Sequence, residues 1–342
     1  MKALVLEEYN RFVYKDVVKP VANDDEVLVE IKAAGICGSD VHGMDGSTGR
    51  RIPPIIMGHE ASGVITETGK NVVSWKIGDR VTFDSTIYKL DDWYTRKGHY
   101  NLSDNRMVLG VSCKEFRRDG AFAKFVTIPS HILYRIPDNV SFEQAAMVEP
   151  VAVALHAISL SGVKINDTVA VFGSGIIGLF IIQLLNQAGC NVIAVDMLQD
   201  KLDMAKISGA SVILNSQTDD VPHEIRKLTQ NRGADLAFEA VGITPTIKSA
   251  IESLRKGATL ILVGNLSPAI EFPLQKVVTQ EITVRGSCAI NGEYPAVLDL
   301  ISKGKINVDS MISAVAPLSE GAMYFDKLYK KEQGLLKVIL KP

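Results

Sequence analysis

Beyond about residue 167 the chain carries a run that is apolar at nearly every position, Thr168-Val169-Ala170-Val171-Phe172, and further strand-like runs recur at 191–195, 211–214, 235–239, 259–263 and 282–286. A run without alternation is what a strand buried on both faces requires, as in a parallel sheet. Helical stretches separate the runs, the first at 179–187. The pattern predicts an α/β layer of six strands, the number of a doubly wound dinucleotide fold. Up to about Glu149 the texture differs. Short alternating or β-branched runs at 26–31, 62–65, 79–83 and 123–126 are broken by turn residues, which predicts a β-rich domain. After Cys288 a helix at 295–301 and a strand at 336–340 are too small to fold alone and are assigned back to the first part. The expected domains are therefore 1–150 with 289–342, and 151–288.

Length agrees with two domains, because 342 residues exceed what one hydrophobic core usually organises. A hydrophobic share of 46%, a charged share of 22% and a net charge of -2 describe an ordinary globular chain with no basic surplus for nucleic acid. Met1 runs straight into the strand-like Lys2-Ala3-Leu4-Val5-Leu6, without the basic and apolar regions of a secretory signal. The longest apolar stretches fall short of a membrane span. Cys37, Cys113, Cys190 and Cys288 are too few for a disulfide framework in so long a chain, so a cytoplasmic location is expected.

Candidate chemistry begins at Gly173-Ser174-Gly175-Ile176-Ile177-Gly178, a G-x-G-x-x-G placed between an apolar strand and a helix. Gly173 permits the tight turn, Gly175 lets backbone approach a pyrophosphate, and Gly178 lets the helix pack closely on the strand. The pyrophosphate would rest on the first helical amides, with Ile177 among them. An acid is expected roughly 20 residues on, and Asp196 stands at the end of the second strand. Its carboxylate would bind the adenosine ribose and repel a 2′-phosphate, favouring NAD over NADP; Lys201 is within reach of the same ribose. Aspartate there also suits a helix N-cap.

Two segments of the first domain collect metal-ligand types. Gly35-Ile36-Cys37-Gly38-Ser39-Asp40-Val41-His42 holds a thiol, a hydroxyl, a carboxylate and an imidazole, and Gly58-His59-Glu60 adds an imidazole and a carboxylate. Zinc takes these ligand types, and a catalytic site uses three and leaves one position open. Taken singly, Cys37 reads equally as a small buried hydrophobe and His59 as a core histidine.

Together with the glycine turn, these segments resemble the zinc-containing medium-chain alcohol dehydrogenases. The run from Gly58 to Val72 fits that family's G-H-E-x-x-G-x5-[GA]-x2-[IVSAC] signature at each fixed position. The resemblance implies a GroES-like catalytic domain joined to a Rossmann domain, with NAD and one catalytic zinc per subunit. It implies Cys37 and His59 as zinc ligands, Glu60 as a neighbouring or exchangeable ligand, and Asp40 as an orienter of a ligand. Glu149, in a Glu-Pro pair similar to that of the polyol dehydrogenases, either binds zinc or holds its water. By the same resemblance Ser39 passes the substrate proton through the nicotinamide ribose towards His42, while Val241 and Gly264 line the cofactor.

Relatives often carry a second, structural zinc in a lobe spaced C-x2-C-x2-C-x7-C. Here the four positions are Lys89, Asp92, Thr95 and Ser103. No structural zinc is expected, and the lobe is expected to be held by packing of Trp93, Tyr94 and Tyr100. Arg50 and Arg51 precede the Gly58 segment and are candidates for gripping an anionic end of the substrate, the alternative being a solvated pair. The implied reaction is hydride transfer from a secondary hydroxyl of a polyol, sugar phosphate or sugar acid to NAD. L-threonine 3-dehydrogenase and a non-catalytic dinucleotide-binding protein are the alternatives. A homodimer or homotetramer is expected, with its seam at 282–288.

Overall fold

The computed structural model describes residues 1–342. The chain forms two compact units, Met1–Glu149 with Ile290–Pro342, and Pro150–Ala289.

The first unit is built on a seven-stranded sheet. Its strands run Leu133–Arg135, Arg80–Phe83, Glu60–Thr68, Glu26–Gly35, Lys337–Lys341 and Ile312–Pro317, with Phe125–Pro129 also paired to Glu26–Gly35. Alternation along Glu26–Gly35 does not survive folding: nearly all of its residues are buried, because it lies at the centre of this sheet. The pairing of Gly35 with Glu60 on one side and with Ile339 on the other draws three remote segments together. The pairing is close: a side chain at Gly35 would collide with the Glu60 carboxylate, 2.4 Å from the Cβ position.

The second unit is a six-stranded parallel sheet ordered Val212–Asn215, Asn191–Asp196, Thr168–Phe172, Ala234–Glu239, Leu254–Leu262 and Thr283–Gly286. Strand order reverses next to Thr168–Phe172, the switch point at which such sheets bind ligands beyond their strand ends. All six predicted strands are present. Leu254–Leu262 starts five residues earlier than the apolar pattern suggested, since Arg255, Lys256 and Gly257 resemble a turn, and its register with Ala234–Glu239 shifts there. The helix after the glycine turn begins at Ile176, not Leu179.

The lobe around Asp84 to Arg106 is organised by a carboxylate. Asp92 caps the short helix Trp93–Arg96, accepting from the Tyr94 and Thr95 amides at 2.9 and 3.2 Å, and its other oxygen accepts from the Asp104 amide at 3.2 Å. The Ser103 hydroxyl bonds to the same carboxylate. Packing by Trp93 is a correction to the expectation: the residue is 64% exposed, and its ring meets the edge of Tyr94 and the ammonium of Lys97. Tyr100 does anchor the lobe, stacking on Tyr88 and donating to buried Asp84 at 2.6 Å.

Candidate active site

Cys37 follows the central strand by two residues and caps the helix Gly38–Gly43, so its sulfur accepts from the Ser39 amide and hydroxyl at 3.5 and 3.2 Å. His59 and Glu60 enter on the neighbouring strand, both buried. Ligand atoms of Cys37, His59 and Glu60 all lie within 4.8 Å of one another. Asp40, wholly buried, places Oδ1 3.6 Å from His59 Nδ1. Glu149 stands outside that trio; its Oε1 accepts from the Ser85 hydroxyl at 3.1 Å.

This cluster is short of positive charge. Burial pushes the Glu149 carboxyl up to about 7, the charge of Glu60 adding to the effect while His59 and Ser85 oppose it. Burial also holds the Cys37 thiol far above its ordinary value, reinforced by Glu60, Asp40 and Glu149 and opposed by Lys337. Glu60 Oε1, His59 Nδ1 and Asp40 Oδ2 are buried without hydrogen-bond partners. Such atoms are costly unless something satisfies them. A thiol, an imidazole and a carboxylate with orphaned polar atoms fit a zinc ion by type and by spacing.

Lys337 is the residue that sequence reading missed. Its ammonium is 2% exposed, donates to Glu60 Oε2 at 2.5 Å and to the Ile36 carbonyl at 3.0 Å, and is the counter-charge of the cluster. Burial lowers its pKa, but Glu60, Cys37 and Glu149 outweigh burial and leave it above its ordinary value. The one signal in the sequence was a lysine set against the apolar Val338-Ile339-Leu340 of the terminal strand.

Ser39 and His42 lie on one short helix, and both face solvent. Arg50 is exposed, but Arg51 contradicts the expectation of an anion grip on substrate. Its side chain is 4% exposed, and its guanidinium is committed to Asp40 Oδ1 and to the Arg50 carbonyl. Burial of a charge demands such a partner, and the partner was eleven residues upstream.

In the second unit Gly173 adopts φ +93°, and a side chain there would strike Val241. A Cβ on Gly178 would sit 1.8 Å from the Gly173 carbonyl, so only glycine lets this helix meet the strand. A Cβ on Gly175 would meet no protein atom within 4 Å. That clear space lies at the start of a twelve-residue helix whose first amides lack helical acceptors, which suits a pyrophosphate. Asp196 is fixed by accepting from the Ser174 amide at 2.8 Å and from the Met197 and Leu198 amides. Lys201 is half-buried on the following helix. Glu239, also unforeseen, ties two loops together. Its side chain accepts from Val241, Gly242 and Thr246, and its carbonyl accepts from the Val263 and Gly264 amides.

A doubly wound sheet with an open glycine turn, in one chain with a half-buried thiol beside a buried imidazole and carboxylate, defines a metal-assisted dehydrogenase. Residues 23–138 match the alcohol dehydrogenase GroES-like domain, and residues 177–303 match the zinc-binding dehydrogenase domain. The chain is 32% identical to D-arabitol-phosphate dehydrogenase of Enterococcus avium, over 97% of this chain and 94% of that one. It is 33% identical to D-xylulose reductase of Saccharomyces cerevisiae, over 99% and 97%. The structure of galactitol-1-phosphate dehydrogenase from Escherichia coli superposes with a TM-score of 0.92 at 28% identity, covering 100% of each chain. The chain belongs to the zinc-binding medium-chain alcohol dehydrogenase family, and it is an oxidoreductase.

Proposed function

We propose that this protein oxidises a secondary hydroxyl of a polyol, or of a polyol phosphate or sugar acid, with NAD as acceptor and one catalytic zinc per subunit. The observation that carries the reading is the convergence of Cys37, His59 and Glu60 around orphaned buried atoms. Cys37 and His59 would hold the metal, with Glu60 within exchange distance, while Glu149 is oriented by Ser85 to hold a water or a substrate hydroxyl. When bound, zinc supplies Lewis acidity that eases loss of a hydroxyl proton, and the nicotinamide supplies the hydride acceptor. Ser39 presents its hydroxyl beside the sulfur of Cys37 and would relay the substrate proton, accepting it as its own hydroxyl proton passes on towards His42. His42, exposed on the same helix, releases that proton to solvent. Gly173, Gly175, Ile177 and Gly178 would cradle the pyrophosphate, Asp196 and Lys201 the adenosine ribose, and Val241 and Gly264 the nicotinamide end.

The curated relatives act, by their names, on a phosphorylated arabitol and on xylulose, which supports a sugar-derived substrate. With Arg51 committed to Asp40, Arg50 alone remains as a contact for an anionic substrate end. The edge strand Thr283–Gly286 is largely exposed and pairs on one side only, which supports a homodimer or homotetramer joined there. Four free thiols suit a reducing compartment, and the cytoplasm is the proposed location. No helix is long and apolar enough to cross a membrane.

The test is a dinucleotide-reduction screen of the zinc-loaded protein with NAD and NADP across sugar alcohols, their phosphates, sugar acids and threonine, with Cys37→Ser and His59→Ala as controls. Polyol-dependent NAD reduction that disappears with bound zinc in both variants is expected, while dinucleotide binding persists. Full turnover in a zinc-free variant refutes the metal assignment. Tight dinucleotide binding with no turnover on any hydroxyl substrate refutes the enzymatic reading.

A further inference from the structure

The Arg50-Arg51 pair was singled out for substrate, yet the fold has built Arg51 into the interior. Both Nη2 and Nε point at a single oxygen, Asp40 Oδ1, at 2.8 and 3.3 Å. Nη1 closes back on the Arg50 carbonyl at 2.9 Å. The stem lies against Gly43, where an added Cβ would be 2.6 Å from Arg51 Cγ, so the helix Gly38–Gly43 ends in a glycine that makes room for it. The backbone is held as well: Arg51 bridges to Ser112, whose hydroxyl donates to the Ile52 carbonyl and accepts from the Ile52 amide. Nothing here is arranged to reach outward.

The oxygen gripped by Arg51 is the one beside His59. Asp40 Oδ1 lies 3.6 Å from His59 Nδ1, and both side chains are buried, while Asp40 Oδ2 has no partner. A buried carboxylate without its cation would be free to turn away from its neighbours. A planar guanidinium with two donors on one oxygen removes that freedom. At 3.6 Å the carboxylate faces His59 Nδ1, an atom with no hydrogen-bond partner of its own, and its charge favours the tautomer that carries the proton there and leaves the lone pair on the other nitrogen.

We propose that Arg51 is a positioning residue: by locking Asp40 it fixes the His59 ring, and so slows loss of the metal and sets the geometry of the reacting centre. This rests on the metal reading given under Proposed function. Asp40 and His59 are eleven residues or fewer from Arg51 in sequence, so the whole device is contained in the segment 37–60.

The experiment measures zinc release from the full-length, zinc-loaded protein into a chromogenic chelator, together with steady-state kinetics. Arg51→Met should release zinc about ten-fold faster or more and lower kcat, with KM for NAD little changed, and Arg51→Lys should recover part of the loss. Gly43→Ala, which pushes on the stem without touching a charge, should shift release in the same direction. Because Arg51 acts through Asp40, Arg51→Met should add little in an Asp40→Asn background. If Arg51→Met alone folds poorly, the double variant serves by itself, since it strands neither member of the pair, and zinc release from it at the wild-type rate would overturn the inference. Release at the wild-type rate in Arg51→Met, or a full additional effect in the Asp40→Asn background, overturns the inference while leaving the proposed function standing. A wild-type protein that takes up no zinc overturns both.

Discussion

Replacing Lys337 by Met removes the one ammonium buried among Glu60, Cys37 and Glu149 while keeping the length of the side chain. Lys337 and Glu60 are 2% and 1% exposed, so their attraction is not diluted by solvent screening. Removing one partner of such a pair strands a charge and costs about 3–5 kcal/mol. For a unit of roughly 150–250 residues each kcal/mol moves the melting midpoint by about 2–4 °C, so the metal-free variant should melt roughly 6–20 °C below the wild type. Zinc beside Glu60 would restore the missing positive charge, and the zinc-loaded variant should lose distinctly less. The assay is convenient, because the chain has only two tryptophans, Trp75 and Trp93, both in the unit that holds Lys337. Melting followed by their fluorescence, with and without zinc, therefore reports that unit alone. A further Glu60→Gln change should return much of the lost stability to the metal-free protein, since the stranded charge is then gone. An equal loss in the two metal states, or a loss below about 1 kcal/mol without metal, would refute the reasoning.

Gly178→Ala should both destabilise the protein, by about 1–3 kcal/mol, and weaken dinucleotide binding, because its Cβ has only the Gly173 carbonyl to displace; calorimetric NADH titration that matches the wild type would count against the packing argument. Asp196→Ala should narrow the preference for NAD over NADP, and a wild type that already prefers NADP would remove the role given to this carboxylate. Burial pushes the Asp84 carboxyl up to about 6, against the opposing hydrogen bonds from Tyr100 and Thr86. Between about pH 4 and 6 the folded state therefore keeps a proton that the unfolded chain has lost, and this group makes the fold less stable as pH rises through that window. Asp84→Asn should flatten that part of the stability profile, as urea unfolding at several pH values can check.

Local signals were legible in the sequence, and remote pairings were not. Apolar runs marked the inner parallel strands, the edge run at 282–286 was legible by its place in the alternation of strands and helices, and the glycine turn stood where a strand gives way to a helix. Cys37, His59 and Glu60 were visible as metal-ligand types in two short segments, and the fold brings their ligand atoms together. Lys337 was invisible because its partner lies 277 residues away and a strand lysine ordinarily faces water. Arg51 was misread for a related reason: two neighbouring arginines look like a surface pair until one meets a buried acid. Glu239 escaped because its work is done with backbone amides of the loop that follows it, which carry no signature of their own. The strand Ile312–Pro317 and the helix Gly321–Tyr329 went unassigned, since the exposed and buried positions of the former mix.

The lobe held by Asp92 has a consequence for how this protein fails. Where four thiolates gather a lobe around a metal, a chelator or an oxidant can take scaffold and catalyst together. Here the scaffold's knot is a carboxylate with amide and hydroxyl donors, which neither agent attacks. A chelator would then act at Cys37, His59 and Glu60 and not at the lobe, and should leave a folded, silent protein that fresh zinc returns to work.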